Sequence, residues 1–286
     1  MNALLLRNLR VYFRDKASVF FSLLSVLIII LLYALFLGDA WSSGSVFQGR
    51  AGVKNMMDSW IMAGLLAVVS VTSTMGAFGI MVEDKSRKIM KDFASSPLSR
   101  AGLTGGYILS AFLIGLLMSL VTAVFAVIYM VARGGAFPGL PVLGKTMLLI
   151  IITSLSNTSL VLFLVSFINS SNAFSTASTL IGTLIGFLTG IYMPIGQLPE
   201  AVQSIIKVVP TSHAAALLRQ ALMEEPLQKV FAGAPAEMVN AFKETMGVTL
   251  SVGGKPLTPM THVLVLTASF VIFSLLSLWS LSRKKR

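Results

Sequence analysis

The chain has 286 residues, of which 55% are hydrophobic and only 12% charged, and its mean hydropathy is +0.85. Because a soluble domain carries about 25% charged residues, this composition excludes a disordered chain, a coiled coil and an ordinary soluble enzyme, and it indicates a polytopic membrane protein. The net charge of +11 would suggest a nucleic-acid partner in a soluble protein. The absence of cysteine excludes disulfides, thiolate metal sites and cysteine nucleophiles.

Residues 1–16 precede the first apolar run and predict an interfacial amphipathic helix. Arg7, Arg10 and Arg14 are spaced three and four apart and therefore share one helical face, opposite a face of leucine and aromatic residues. Such a basic amphipathic helix lies in the headgroup plane of a membrane. The alternative is a simple positively charged anchor for the first span.

Six segments have the roughly 20 mostly apolar residues that a membrane helix needs. With the N-terminus inside, the inner segments hold thirteen lysines and arginines and the outer loops hold nine. This bias predicts that the N- and C-termini are both cytosolic, and it accounts for the positive charge without a nucleic acid. We expect residues 17–286 to form one all-α domain whose spans are 17–37, 60–82, 107–131, 145–167, 174–194 and 263–281.

The predicted spans hold no Asp, Glu, Arg or His deep within their apolar stretch. Ion-coupled carriers and intramembrane proteases need such groups, so we predict no catalytic residue and no metal site, and a transporter of this kind needs an outside source of energy. Ser154, Ser156, Asn157 and Ser159 of the fourth span are expected to hydrogen-bond between helices.

The loop after the second span is densely charged and amphipathic, and Pro97 ends it. Ile89 and Phe93 are four residues apart and share one side of a helix. An exposed charged helix with a few apolar side chains suits docking to a soluble partner, and the alternative is a solvated topology anchor. The candidate docking residues are Glu83, Asp84, Arg87, Lys88, Ile89, Asp92, Phe93 and Pro97.

Residues 139–146 match the P-loop pattern GxxxxGK[ST]. A P-loop follows a buried strand and opens a soluble helix, whereas this segment follows one membrane span, opens another and lies on the predicted outer side. We therefore reject nucleotide binding here.

The fifth predicted span carries small and hydroxyl residues in place of charge. Gly182, Gly186 and Gly190 repeat every four residues, a doubled GxxxG pattern that lets another helix approach closely. The close partner is either within the subunit or in a dimer. The candidate residues for a translocation path or dimer face are Thr176, Thr179, Thr183, Gly182, Gly186, Gly190 and Phe187.

The outer segment after the fifth span predicts two short amphipathic helices that re-enter the membrane without spanning it. One runs from Pro199 to Val209, and the other follows Pro210 with Thr211 or Ser212 as its N-cap. His213 is alone in this segment, so we expect it to be structural. The candidate lid residues are Leu198, Pro199, Pro210, His213 and Arg219.

These features together resemble the type-2 ATP-binding-cassette (ABC) exporter permeases over almost the whole chain. The most specific element is the outer pattern Leu198-Pro199, Pro210-Thr211-Ser212-His213-Ala214 and Leu218-Arg219. The charged loop from Glu83 to Pro97-Leu98-Ser99-Arg100 agrees more loosely, because it reads Lys-Ser-Arg-Lys-Ile-Met-Lys where many members have a Gly-Thr-Leu-Glu-like stretch.

The resemblance implies a multi-pass membrane subunit of a bacterial cytoplasmic membrane. Two permease copies, identical or similar, would pair above two separate ATPase subunits, which bind the ATP and Mg, so this chain would not itself be an enzyme. Glu83–Pro97 would be the coupling helix, and the N-terminal helix would flank the ATPase. The second and fifth spans would line the exit path beneath an outer lid. The expected cargo is a lipophilic or amphipathic drug, antimicrobial peptide or lipid. The alternatives are an exporter of lipid-linked polysaccharide, an ATP-independent channel or carrier, and a sensor or scaffold.

Overall fold

A computed structural model describes residues 1–33, 35, 50–94 and 99–283, and most of them are helical. The helices on the N-terminal side of residue 170 are α1 Asn2–Arg14, α2 Lys16–Leu32, α3 Val53–Ser86, α4 Ile89–Ala94, α5 Arg100–Ala132 and α6 Leu140–Ser166. They are followed by α7 Ser171–Leu188, a 3₁₀ turn Ile195–Gln197, α8 Glu200–Ile206, α9 Pro210–Val230, α10 Ala236–Thr245, β1 Ser251–Val252, β2 Lys255–Pro256 and α11 Pro259–Arg283.

In the described part of the chain, four helices are long and apolar enough to cross a membrane: α3, α5, α6 and α11. Helices α8 and α9 pass the same test as a pair and are bent by 85° at the break between them, which makes up to five candidate spans. The first and fifth predicted spans correspond to the shorter helices α2, of 17 residues, and α7, of 18. The chain is therefore a mostly helical multi-pass membrane protein, and the six-span arrangement stays a prediction.

Helix α3 forms the centre of the bundle. It packs against α5, α6, α7 and α9, and side chains on all of its faces are buried, among them Trp60, Leu65 and Phe78. A helix that is apolar all round belongs in such a central position. Helices α5 and α11 instead expose large apolar residues on one side, such as Ile128 and Leu275, as expected where a helix faces lipid tails.

Buried polar side chains join the central helices, as predicted for the fourth span. Asn157 of α6 donates from Nδ2 to the Ser70 hydroxyl of α3 over 3.1 Å, and its Oδ1 accepts from Thr211 of α9 over 3.0 Å. Ser154 lies 3.5 Å from the same serine, oxygen to oxygen. Ser159 bonds instead to the Ser156 carbonyl of its own helix, and the buried Ser156 hydroxyl has no hydrogen-bond partner among the described residues, so the prediction holds for Asn157 and Ser154 only. Interhelical bonds of this kind stabilise a membrane bundle by roughly 0.6 kcal/mol each.

The segment after the fifth predicted span differs from its prediction in three ways. The second helix, α9, has 21 residues and is not short. Its N-cap is Val209, so Thr211 and Ser212 lie inside the helix, where they bond to Asn157 and to the Leu188 carbonyl. The following loop holds α10 and a small antiparallel hairpin, which adds two short strands to the predicted all-α fold.

The hairpin turn consists of Gly253 and Gly254, with φ of +58° and +74°. Two positive φ values in a two-residue turn are what a type I′ hairpin requires, and glycine adopts them without strain.

Candidate functional site

A charged cluster holds together the end of the bundle that carries α1. Asp84, in the last turn of α3, is only 3% exposed. Its carboxylate accepts two bonds from the Arg7 guanidinium of α1, one of them 2.8 Å from Nη2 to Oδ1, and a third of 2.6 Å from the Tyr107 hydroxyl of α5. A bidentate arginine–carboxylate pair is among the strongest polar contacts in proteins. The cluster therefore fixes three helices to one another.

The same arginine also reaches the charged loop. The Arg7 guanidinium carbon lies 5.6 Å from the centroid of the Phe93 ring of α4, a cation–π contact. The bond to Asp84 raises the pKa of Arg7 above its ordinary value, so the cation persists at every physiological pH. At the next residue, the Asn8 amide donates to the buried Ser110 hydroxyl over 3.1 Å.

The three arginines of α1 do not share a role, contrary to the prediction of one basic face. Arg7 turns toward the protein, whereas Arg10 and Arg14 are exposed. The buried face of α1 is instead Leu4, Asn8 and Tyr12. The helix is amphipathic, as predicted, and one of its cations points inward.

The charged loop is not one helix from residue 83 to 97. Helix α3 continues to Ser86, Lys88 adopts a φ of +63°, and the short helix α4 follows. A left-handed conformation costs a non-glycine residue roughly 1–2 kcal/mol, and here it turns the chain sharply. Pro97 lies outside the described residues.

The loop residues fall into two sets. Asp84 is buried, and Phe93 is half-buried and packs against the hydrophobic core, so these two residues attach the loop to the bundle. Ile89 is half-buried as well. Glu83 and Arg87 form an exposed ion pair of 2.7 Å, and Lys88 and Asp92 are exposed as well. Only the second set presents side chains to a soluble partner, and the sequence did not separate the two.

One face of α7 is open. Thr176, Thr179 and Thr183 are exposed, and each hydroxyl donates to the backbone carbonyl four residues earlier, over 2.9–3.1 Å. Phe187 is 40% exposed on the same helix. No atom of the described chain lies within 4 Å of a Cβ built on Gly182. This face is free to take a further helix or a ligand.

The three glycines do not form one packing face, which corrects the doubled GxxxG interpretation. A Cβ on Gly186 would overlap the Tyr192 ring of the same subunit. Gly190 lies beyond the last helical residue, with φ of +71°. The Ile191 N–H bonds the Gly186 carbonyl over 2.9 Å, and the Gly190 N–H bonds the Phe187 carbonyl over 3.0 Å. This is a Schellman helix end, so only Gly182 belongs to the open face.

A cavity of about 420 Å³ lies between α1, α2, α3 and α7. Gly76 and Gly79 of α3 line it, and the aromatic rings of Tyr12 and Phe174, which pack against these glycines, form part of its wall. The Ser175 hydroxyl lines it at the start of the open face of α7. Asp15 and Glu83 also line it. A lining of aromatic, hydroxyl and acidic groups suits an amphipathic molecule.

At the opposite end, the prediction that His213 is alone is wrong, because it pairs with His262. Their Nδ1 atoms lie 2.8 Å apart, and Nε2 of His213 lies 2.9 Å from the Lys207 carbonyl oxygen. Because a carbonyl only accepts, Nε2 of His213 carries the hydrogen and its Nδ1 accepts from His262. The pair links α9 and α11 to the break after α8, and it supports a structural role for His213.

Arg219 was predicted to lie in the outer lid, and its side chain is fully buried. The guanidinium stacks 4.7 Å from the Trp60 ring centroid of α3 and donates over 3.3 Å to the Gly247 carbonyl. Trp60 donates to the Met246 carbonyl over 2.7 Å, and Gln220 donates to the Val248 carbonyl over 2.8 Å. These contacts fasten the segment before the hairpin to α3 and α9.

The remaining lid residues sit at the turns of this segment. Leu198 ends the 3₁₀ turn, and its carbonyl accepts from the Gln203 amide over 2.8 Å. Pro199 is the N-cap of α8, and Pro210 is the first residue of α9. A proline at these positions costs no helical hydrogen bond, because the first N–H groups of a helix have no partner within it.

No Asp, Glu, Arg or His lies within the predicted spans, but three buried ionisable residues lie just beyond their ends. Asp58 is buried in the second turn of α3, 3.6 Å from the Arg133 side chain, and Asp84 and His262 are buried near other helix ends. Each has a polar partner, as buried charges require.

A family model described as ABC-2 type transporter matches residues 1–223, more than three quarters of the chain. The chain belongs to this family, the membrane subunits of type-2 ABC transporters. No curated protein matches the chain. The match to the ABC-2 family ends within α9, so α10, the hairpin and α11 lie beyond it.

As in other members of the ABC-2 family, this chain is a permease component, and this kind of subunit is generally not itself catalytic. In the described residues, no three His, Cys, Asp or Glu side chains lie close enough to hold a metal ion. Residues 140–146 of the P-loop match form the first turns of α6, with Gly139 as the N-cap, and no strand precedes them in the described ranges.

Sequence reasoning missed three partners that complete these clusters. Tyr107, Trp60 and His262 each lie at least 23 residues from the group they contact. The sequence held a weak signal for each contact. Tyr107 and Trp60 lie at span ends, where such side chains often hydrogen-bond a buried polar group, and His262 is the chain's second histidine.

Proposed function

We propose that the chain is the six-span permease subunit of an ATP-driven exporter, with both termini in the cytosol. Two copies, or this chain and a similar one, pair in the membrane and receive two separate ATPase subunits at the α1 end. The subunit carries no ATPase site of its own. The family membership supports the permease role. We infer the six spans, the cytosolic termini, the pairing and the ATPase partners.

The observation that carries the proposal is the anchoring of the charged loop. A loop that transmits force must present an exposed surface and be held stiffly to the helices that move. Glu83, Arg87, Lys88 and Asp92 provide the exposed surface, while Asp84 and Phe93 are fixed to α1, α3 and α5 through Arg7. ATPase closure would press on this surface and shift α3, a rigid-body transition.

The path follows from the position of α3. Its partner α7 has an open face with Thr176, Thr179, Thr183 and Phe187, and the 420 Å³ cavity opens at the foot of that face. We propose that an amphipathic drug, peptide or lipid enters from the inner leaflet through this cavity and moves along α7. The hydroxyl oxygens would contact its polar part and the aromatic rings its apolar part.

Charge reversal of the exposed surface tests the docking site. The double variant Lys88→Glu/Asp92→Lys keeps the net charge, and we expect it to lose co-purification with the partner ABC ATPase. The matched control Lys207→Glu/Glu237→Lys swaps charges at the opposite end and should retain the ATPase. Undiminished ATPase binding by the first variant would show that the loop is not the docking site.

Reconstitution tests the source of energy. In liposomes, the permease should move a lipophilic fluorescent cargo only when the ATPase and ATP are both present. A flux of the same size without ATPase would instead identify an ATP-independent carrier. Substrate that binds without any effect on ATP hydrolysis would favour a sensor.

A further inference from the structure

A second cavity, of about 480 Å³, lies at the end of the bundle opposite α1. Helices α9 and α10 form two of its sides, and the first residue of α11 and the second turn of α6 close it. It is separate from the cavity beside α7, and no role has been given to most of the residues around it.

The cationic groups of this cavity outnumber the acidic ones. Lys145 and Lys243 both line it, and Glu224 is the one acidic residue among its lining side chains. Lys145 Nζ lies 3.4 Å from Glu224, and both side chains of this ion pair are more than half exposed. In the described chain, the half-buried Lys243 side chain has no ion pair. One positive charge is therefore left uncompensated, and the amides of Gln220 and Gln228 line the same space.

The floor of the cavity is apolar. Leu227, Phe231 and Val248 are buried beneath the two lysines. A purely ionic ligand would make no contact with this apolar floor. A ligand with an anionic head and an apolar part would contact both the lysines and the floor.

The cavity lies where two candidate membrane spans begin. The positive end of the α11 dipole points toward it, which favours an anion. Shortly after the lining residues Lys145 and Pro259 in the chain, Met147 and Leu148 of α6 and Met260 and Leu264 of α11 are all more than half exposed. An apolar surface that continues from the cavity along two spans is suited to acyl chains.

We propose that this cavity binds the phosphate group of an anionic phospholipid of the outer leaflet, with Lys145 and Lys243 as its cationic contacts. The outward orientation is that of the proposed topology. The lipid would hold α10 and the hairpin, which lie outside the family match, at the membrane surface. Lys145, which belongs to the rejected P-loop match, would then bind a lipid phosphate.

Binding of a short-chain lipid to the purified full-length permease in neutral detergent tests this. We expect dihexanoyl-phosphatidylglycerol to bind at least about tenfold more tightly than dihexanoyl-phosphatidylcholine, because two lysines contact the net negative charge. The double variant Lys145→Gln/Lys243→Gln should lose this preference. The control Lys207→Gln/Lys255→Gln removes two lysines that do not line the cavity and should retain it.

Two further measurements keep the test decisive. Glu224→Gln removes the acidic group from the cavity, so it should tighten phosphatidylglycerol binding. This variant tests the same cavity even if the double lysine variant fails to fold. Inorganic phosphate alone should compete only weakly. Equal affinity for the two lipids, an unchanged preference in the double variant, or phosphate binding as tight as that of the lipid would each overturn the proposal.

Discussion

The two ends of this membrane subunit bury arginine in different ways. At the α1 end, Arg7 is paired with a buried carboxylate and a tyrosine hydroxyl. At the opposite end, Arg219 is fully buried. It has no carboxylate partner among the described residues, and it rests on the face of Trp60 and donates to one carbonyl. The first arrangement is a directional joint between three helices. The second holds the arginine mainly by packing, since a guanidinium stacks on an indole through its flat face.

The difference bears on movement. A charge pair keeps its geometry when one helix is pushed, because breaking it would leave the buried Asp84 carboxylate uncompensated. This is the property that a force-transmitting loop needs. A stacked arginine with backbone contacts instead fixes the segment Met246–Val248 in place, which suits a part of the molecule that caps the bundle.

The largest expected effect comes from breaking the paired end. Asp84→Ala leaves the Arg7 cation partly buried and removes the acceptor for Tyr107. Removing one partner of a buried ion pair costs about 3–5 kcal/mol, and we expect about 3 kcal/mol because Arg7 is one-third exposed. Urea unfolding of the purified subunit in detergent measures it. The double variant Arg7→Met/Asp84→Ala should recover at least half of the loss, and a cost that is simply additive would contradict the joint.

A smaller effect is expected at the unpaired end. Arg219→Met removes a buried cation together with its stacking, which is worth about 2 kcal/mol when desolvated, but it also removes the cost of burying the charge. We therefore expect a net loss of about 1 kcal/mol, below that of Asp84→Ala in the same unfolding assay. Proteolysis near the hairpin should increase, because Gly247 loses its donor. A loss larger than that of Asp84→Ala would reverse the comparison.

The sequence predicted well what depends on local patterns. The apolar runs indicated the membrane helices, and the prolines at residues 199 and 210 marked the starts of α8 and α9. It failed where partners are far apart in the chain. Periodicity gave Arg7 the same face as Arg10 and Arg14, yet its direction is decided by Asp84, 77 residues away. The burial of Arg219 likewise depends on Trp60, which no spacing rule connects to it.

Gly182 gives the smallest effect and tests whether the open face of α7 is used. In the isolated subunit, Gly182→Ala should stabilise α7 by about 0.5–1 kcal/mol, because alanine is the better helix former and the added Cβ meets open space. Gly190→Ala is the control. It should destabilise by more than about 1 kcal/mol, since φ is +71° and its Cβ would lie 2.7 Å from Ile195. If the proposed second copy packs on this face, Gly182→Ala should also weaken subunit pairing in cross-linking of the native membrane. A stabilised subunit with unchanged pairing would place the partner elsewhere and leave the face to the cargo, whereas a destabilised subunit would show that α7 is already packed within the monomer.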